Sequence, residues 1–156
     1  MKCPVCGKTK FESEVDCDIC KYCGWENDGT EEPDNDGEYI AGANDLPLPQ
    51  YIERYNKFLI MKPDYIWKKD HNFQPTRKDE LKYIHHFCSN NKKYILNSKK
   101  CGCFYCEKIF EPKEIISWID EGKTAECPYC GIDSVLPDSK IDIEEVLLAE
   151  MYKDWF

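Results

Sequence analysis

The sequence predicts a small α+β fold in two modules, each built around four cysteines. Cysteines in Cys-x-x-Cys spacing concentrate in two groups, one near the N-terminus and one after residue 100. Apolar residues at helical spacing follow the first group and flank the second. A chain of 156 residues is long enough for two small domains. We therefore expect one module over residues 1–76 and another over residues 77–156, with short strands at the cysteines and helices covering one face.

The cysteine spacing predicts two metal sites. Two Cys-x-x-Cys hooks can place four thiolates at the corners of a tetrahedron, which is the geometry of a structural zinc site. Glycine follows the second cysteine in three hooks, at Gly7, Gly24 and Gly131, and proline follows the first in two, at Pro4 and Pro128. Glycine permits the turn that points backbone N–H groups at sulfur. The predicted metal ligands are Cys3, Cys6, Cys20 and Cys23 in the first module and Cys103, Cys106, Cys127 and Cys130 in the second.

Zinc is the expected metal, at two Zn²⁺ ions per chain, which makes both modules zinc ribbons. Iron is the main competitor, because tetrahedral thiolate geometry suits both metals. Disulfides are disfavoured, since the chain opens on Met1-Lys2-Cys3 without an apolar signal region and its eleven cysteines are an odd number. No apolar run approaches the roughly 20 residues that cross a bilayer. We therefore expect a cytoplasmic protein.

The first module is expected to contain a short hairpin, an acidic loop and a helix. The segment between Cys6 and Cys20 is long enough for the hairpin. Residues 26–37 are polar without apolar periodicity, and they lack the ligand spacing of a calcium loop, so they are expected to be a solvated loop. An apolar stripe over residues 47–61 predicts a helix that ends before Pro63.

Three helices are expected in the second module. The first begins near Arg77 and carries apolar residues at helical spacing. The second lies between the two hooks, with Pro112 in its first turn and Gly122 just past its end. The third begins at Asp142 as the N-cap and carries an apolar stripe to Trp155. We expect this last helix to pack on the second ribbon.

Four segments of the first module match a known pattern. Residues 3–7 read Cys-Pro-Val-Cys-Gly, residues 19–28 contain Cys-Lys-Tyr-Cys-Gly-Trp, and residues 42–48 and 55–58 add a Gly-Ala-Asn segment and part of the following helix. In these segments the module resembles the cysteine-rich CPCC domain family, which consists of small bacterial zinc-ribbon-like domains of unsettled function. Val5 departs from the adjacent cysteines that the family name implies. The resemblance implies a metal-binding ribbon over residues 1–76.

A second resemblance covers the second module. It rests on residues 101–106, 118–120, 122–125 and 127–135 and on the ending at 150–156. These segments look like those of an uncharacterised bacterial family labelled only as cytoplasmic protein, which brings almost no biochemistry. Genes of both types look like those found around bacterial toxin and defence loci.

Charge is unevenly distributed along the chain. The net charge is −9, and it divides into acidic ends and a central stretch, residues 51–100, that carries +7. Eight thiolates and two zinc ions would lower the total to about −13. Such a chain repels nucleic acid at long range, because phosphate binding needs a cationic surface. The exception is residues 66–100, where basic residues alternate with aromatic ones as they do in proteins that bind single strands.

Three cysteines and two histidines remain without an assigned role. Cys17, Cys88 and Cys101 are left over once the two metal sites are filled, and a packed or free thiol is the expected state. His85 and His86 next to Cys88 would suit a Cys/His nucleophile or a third metal site. Adjacent histidines point about 100° apart on a helix, so they do not readily face one metal. We expect one packed histidine and one exposed histidine.

The leading functional hypothesis is a non-enzymatic, zinc-stabilised cytosolic binding protein that presents an acidic surface to a partner protein. Its specific form is an immunity-type protein that neutralises a basic bacterial toxin. The alternative is a nucleic-acid-binding zinc ribbon that acts through residues 66–100. An enzyme that uses an open zinc, or the region of His86 and Cys101, is a third hypothesis. Closed four-thiolate sites argue against it, because catalytic zinc keeps a position for water.

Overall fold

The computed structural model describes residues 1–156, which fold as two compact units, Met1–Thr76 and Arg77–Phe156. The architecture is α+β, with short antiparallel strands, a few helices and two clusters of four cysteines. This confirms the predicted fold class. None of the helices combines the length and the apolar character needed to span a membrane.

The first unit is organised around one long helix. Helix α1 spans Leu48–Met61, as predicted, and the short helix α2 spans Trp67–Asp70. A proline occupies the first turn of α1, where its fixed φ suits the helix and no N–H group is lost from the ladder. The inner face of α1 buries Tyr51 and Tyr55 against the fully buried Trp25 and the cysteines. This face is the core of the unit.

The expected hairpin between Cys6 and Cys20 is absent. Two isolated antiparallel bridges are found instead, Lys2 with Lys10 and Ile19 with Glu26, and each bridge encloses one hook. The prediction was wrong because the hooks are themselves the tight turns, so the pairing forms around them and not between them. Residues 27–47 contain no helix or strand, and their turns are closed by their own carboxylates. Asp28, for example, accepts hydrogen bonds from both the backbone and the hydroxyl of Thr30.

The second unit combines three helices with a small ribbon. Its helices are α3 (Arg77–His85), α4 (Lys92–Leu96) and α5 (Glu145–Trp155), and single 3₁₀ turns cover His86–Cys88 and Pro112–Glu114. The helix expected near residue 77 is confirmed. It ends in the 3₁₀ turn that carries the chain toward the ribbon.

Five short strands form the ribbon. Strands β2 (Ile109–Phe110), β1 (Cys101–Cys103) and β5 (Val135–Pro137) pair antiparallel in that order. Strands β3 (Trp118–Ile119) and β4 (Thr124–Ala125) form a separate antiparallel pair. The first hook therefore begins on the central strand β1, at Cys103.

Helix α5 packs on the ribbon through a glycine. A Cβ atom at Gly102 in β1 would lie 2.7 Å from Ile143 and 2.9 Å from Leu148. Both side chains are buried, with Leu148 at 0% exposure. The absence of a side chain at Gly102 therefore permits the close approach that buries the apolar face of α5.

Two helix predictions for the second unit need correction. The helix expected from Pro112 to Gly122 is a single 3₁₀ turn followed by β3, because Trp118–Ile119 pairs with Thr124–Ala125 through a turn of left-handed residues. The N-cap expected at Asp142 was also wrong. Helix α5 begins after Glu144, whose backbone is extended, and Val146 of the expected stripe is 76% exposed.

Candidate metal centres

The structure brings the eight predicted cysteines into two clusters of four. Within each cluster all four Sγ atoms lie within 4.8 Å of one another. Cross-hook pairs are 3.5 Å apart for Cys3–Cys23 and for Cys6–Cys20. A disulfide would require about 2.05 Å, whereas four sulfurs at about 2.3 Å from a tetrahedral zinc lie about 3.8 Å from one another. The spacing therefore fits a four-thiolate metal ion.

Each hook of the first unit forms the same turn. The Gly7 amide donates to the Cys3 carbonyl at 2.8 Å, and the Gly24 amide donates to the Cys20 carbonyl at 2.7 Å. Both glycines adopt positive φ angles, +66° and +85°. These turns direct amides toward sulfur, and the Lys8 amide lies 3.5 Å from Cys6 Sγ.

The family model of the cysteine-rich CPCC family matches residues 1–78, half of the chain and all four of these cysteines. The chain belongs to the cysteine-rich CPCC family. This confirms the resemblance seen in the first module. Searches of curated proteins and of solved structures found no match. The resemblance of the second module to an uncharacterised family stays a prediction.

Two polar residues of the CPCC domain support its second hook and were missed from the sequence. The Thr9 hydroxyl lies 3.0 Å from Cys20 Sγ. The side chain of Asn44 accepts from the Glu26 amide at 2.9 Å and donates to the Glu26 carbonyl at 3.1 Å. Asn44 therefore acts as a pairing partner for the strand-like segment after the hook. Its position in the Gly-Ala-Asn segment of the family was the available signal.

The CPCC cluster cannot hold four thiolates without a cation. The pKa of Cys20 is lowered, first by a hydrogen bond from Cys23, so this thiol ionises most readily. The pKa of Cys3 is raised to about 12, first by its hydrogen bond to Cys20 and also by burial. A divalent ion would therefore have to displace protons from this cluster, as is general for thiolate sites.

The second cluster repeats this arrangement with one exception. Its Sγ atoms are 3.7 Å apart for Cys103–Cys130 and 3.6 Å apart for Cys106–Cys127. The amide of Gly131 donates to the Cys127 carbonyl at 2.9 Å, as in the CPCC hooks. These distances fit the same tetrahedral ion.

The exception is Glu107, which follows the second cysteine where the other three hooks have glycine. Its φ is +58°, in the left-handed region that disfavours a residue with a side chain. The turn is therefore imposed on an unsuitable residue, and the surrounding ribbon must hold it there.

The leftover cysteines lie outside both clusters. Cys17 is exposed, whereas Cys88 and Cys101 are buried. Burial raises the pKa of Cys88 to about 11 and that of Cys101 to about 12, so both stay protonated at neutral pH. These three residues are free thiols and belong to neither four-cysteine cluster.

The histidines do not form a third metal cluster with them. The ring of His85 stacks on Trp155 at a centroid distance of 4.4 Å, and burial lowers its pKa. Its Nε2 atom lies 3.9 Å from Cys88 Sγ, a weak contact between two groups that are both neutral at pH 7. His86 instead faces a shallow surface pocket with Lys93. The pair therefore lacks the thiolate that a Cys/His nucleophile needs.

Proposed function

We propose that the chain is a zinc-stabilised binding protein of the bacterial cytoplasm and that both metal ions are structural. The observation that carries this proposal is the donor set, because each cluster offers four sulfurs at tetrahedral spacing and leaves no position for water. Thiolate clusters suit a reducing compartment, where all eleven cysteines stay unpaired. Each unit is small, so a metal ion supplies stability that a limited apolar core does not.

Zinc is proposed over iron because these sites only need to hold the fold. Zinc has no redox chemistry, and its tetrahedral thiolate sites are typically structural. Elemental analysis of the purified chain should give two zinc ions per chain and a colourless solution. A visible charge-transfer absorption with two iron atoms per chain would contradict the assignment. Unfolding on chelation, measured by circular dichroism, should accompany loss of the metal.

The proposed partner is a basic protein, in the manner of an immunity protein that neutralises a toxin. Residues 1–76 hold nine basic and fifteen acidic side chains, and a bound four-thiolate zinc adds a further charge of −2. Complementary charge speeds association and excludes partners of the wrong sign. The acidic residues concentrate in the loop of residues 26–38, which carries seven carboxylates and no basic side chain.

A capture experiment tests the partner. The tagged chain is incubated with lysate of its native cell at low salt, and a basic protein should be retained and then released by salt. The triple change Glu31→Gln, Glu32→Gln and Glu38→Gln should weaken retention about tenfold or more. The matched control places three equivalent changes on the second unit, at Glu121, Glu144 and Glu145. Recovery of no protein, or equal retention by both variants, would contradict the proposal.

A second function, nucleic-acid binding through residues 66–100, is supported by one surface of the second unit. A shallow pocket there is lined by Asn90, Lys92, Lys93, Leu96 and Lys123, without an acidic side chain. Lys92 lies over the ring of Trp118 at 5.1 Å, and Lys93 lies over Tyr94 at 4.7 Å. Lysines beside aromatic rings suit a single strand, which binds by charge and stacking.

Fluorescence anisotropy with labelled single-stranded RNA and DNA tests this second function. Changing Lys92 and Lys93 to glutamine should weaken binding. It should also reduce the slope of log K against log salt concentration by about two, because each phosphate contact releases about one counterion. Lys153→Gln is the control. Binding that is unchanged in the double variant would remove the proposal.

A further inference from the structure

The CPCC domain contains a cleft of about 420 Å³, to which the metal site assigns no function. Its size falls within the range of about 300–1,000 Å³ that is typical of ligand pockets. Its walls are mainly aromatic side chains: Tyr51, Tyr55, Phe58, Tyr65, Trp67 and Phe73. The remaining lining comes from the second hook, from the loop before α1, from Arg54 on α1, and from His71 and Gln74 after α2. The ring centroid of His71 lies 5.6 Å from that of Trp67. All of these residues lie within residues 1–76.

The aromatic walls are held in place. Phe58 and Phe73 meet edge-to-face at 5.6 Å, and Tyr65 packs on Phe58 at 5.3 Å. The Tyr51 hydroxyl donates to the carbonyl of Cys23 at 3.1 Å. A cleft with fixed walls does not lose side-chain entropy when a ligand enters, so binding is not weakened by that cost.

Trp67 is anchored directly to the hook. A Cβ at Gly24 would lie 2.4 Å from its indole ring, so the ring rests against the bare backbone of that turn. The amides of Trp67 and Lys68 donate to the carbonyls of Tyr22 and Lys21 inside the hook, each at 3.0 Å. The metal-binding turn therefore forms the floor under one wall of the cleft.

The lining of the cleft carries a net negative charge, because its two carboxylates outnumber the one guanidinium, that of Arg54. Two carboxylates line it, and Glu26 makes no ion pair or side-chain hydrogen bond, although its backbone is fixed by Asn44. The second carboxylate, on Asp45, pairs with Arg54. Cys23 is both a predicted metal ligand and part of the lining, and a four-thiolate site with a divalent ion carries a charge of −2. The π faces of the walls add further negative potential.

One guanidinium already occupies part of this surface. The Arg54 guanidinium carbon lies 4.5 Å from the centroid of the Tyr51 ring, and its Nη2 atom donates to Asp45 at 2.8 Å. Its Nη1 atom also contacts the Asp45 carboxylate. Arg54 therefore shows how an arginine can bind to this surface: its guanidinium stacks on a ring and pairs with a carboxylate. The carboxylate of Glu26, in the same lining, makes no ion pair with a cation of the chain.

We propose that the cleft binds an arginine side chain of the basic partner protein, with the guanidinium between the aromatic walls and the Glu26 carboxylate. The proposal rests on the proposed partner-binding function and names its anchor residue. Arginine is favoured over lysine because its planar, weakly hydrated group stacks on rings and binds carboxylates through two donors. Arg54 shows both interactions on the same surface.

Peptide titration of the zinc-loaded full chain tests the cleft. Acetyl-Gly-Arg-Gly-amide is added while ¹H–¹⁵N spectra are recorded, and saturable shifts should appear at Gly24, Trp67 and Phe73. The citrulline peptide, which has the same shape without charge, should bind at least tenfold more weakly. The lysine peptide should bind at least about threefold more weakly than the arginine peptide. Equal binding of the citrulline or lysine peptide, or shifts that do not saturate, would overturn the proposal.

Two variants locate the site. Glu26→Gln should lower the affinity for the arginine peptide about tenfold. The variant should fold normally, because the Glu26 carboxylate has no partner in the structure. Phe73→Leu keeps an apolar side chain but removes a π face, and it should weaken binding severalfold. Glu14→Gln, at an exposed carboxylate outside both the cleft and the acidic loop, is the matched control and should leave the affinity unchanged. Unchanged affinity in both cleft variants would overturn the proposal.

The same variants separate this proposal from the proposed function. If a partner is captured equally by the wild type, Glu26→Gln and Phe73→Leu, the cleft proposal fails and the partner-binding function stands. If the arginine peptide binds the cleft but no basic protein is captured, the cleft is an arginine site and the partner-binding function fails.

Discussion

The two glycines that end the CPCC hooks provide a direct test of how the metal turn and the cleft are joined. Gly7 and Gly24 occupy the same position in their hooks, and both have positive φ. They differ in their surroundings, because a Cβ at Gly7 meets nothing within 4 Å, whereas one at Gly24 would overlap the indole of Trp67. Alanine at each position therefore separates the cost of the backbone conformation from the cost of the clash.

The expected magnitudes follow from these two terms. A left-handed alanine costs about 1–2 kcal/mol, partly offset by a less flexible unfolded chain, so Gly7→Ala should cost about 1 kcal/mol. Gly24→Ala adds an overpacking cost of about 1–3 kcal/mol, for a total of about 2–4 kcal/mol. For a unit of this size, 1 kcal/mol corresponds to a shift in Tm of about 4–8 °C. Gly24→Ala should therefore lower the Tm two to four times as far as Gly7→Ala.

The assay follows the amide resonances of residues 1–76 of the full chain during heating in excess zinc, so the unfolding of this unit is observed by itself. Trp67→Ala serves as the second arm of a double-mutant cycle, since removing the indole should relieve the extra cost of Gly24→Ala but not that of Gly7→Ala. Equal Tm shifts for the two glycine variants, or no coupling between Gly24→Ala and Trp67→Ala, would refute the reasoning.

Three further predictions concern the metal sites. Glu107→Gly should stabilise the second unit by about 0.5–1 kcal/mol, because glycine removes the left-handed strain, and a higher Tm of its resonances would check this. Cys101→Ala should keep two metal ions per chain in native mass spectrometry, whereas Cys103→Ala should keep one; equal loss would contradict the ligand sets. Because the pKa values of Cys3 and Cys127 are raised to about 12 and about 11, these thiols carry protons at neutral pH in metal-free clusters. Zinc binding should therefore release protons, and affinity should fall as pH falls; a pH-independent affinity by competition titration would contradict this.

The sequence predicted best those features that depend on residues close together in the chain. Helix α1 was predictable because prolines bracket an apolar stripe of helical period. The clustering of cysteines followed from hook spacing, which fixes two sulfurs of each cluster locally. The helix predicted after Pro112 is not formed, although the residues that signal a helix start do adopt that conformation over one turn. Glu111 and Glu114 do form a capping box, yet it closes only one 3₁₀ turn.

Features made by distant segments were not predictable in this way. Strand β3 exists because Trp118–Ile119 pairs with Thr124–Ala125 across Asp120 and Glu121, both left-handed although neither is glycine. The cleft was not predictable for the same reason, since its walls come from the second hook, the loop at Asp45, α1, and the segment of residues 65–74 that contains α2. The periodicity of α1 identifies a buried face but does not reveal that part of this face lines a cleft.

The position of Trp67 shows how a structural metal ion could affect ligand binding in this chain. Zinc in a closed four-thiolate site has no open position for chemistry, so its effect must pass through the fold. Here the path would be short, because the Gly24 turn that a metal ion on the four cysteines would hold is also the surface on which Trp67 rests, and the backbone of α2 is hydrogen-bonded to the same hook. Removing the metal would release that turn and, with it, one wall of the cleft. A metal ion bound by Cys3, Cys6, Cys20 and Cys23 would therefore lie next to the cavity that is proposed to recognise a partner, because Cys23 also lines that cavity.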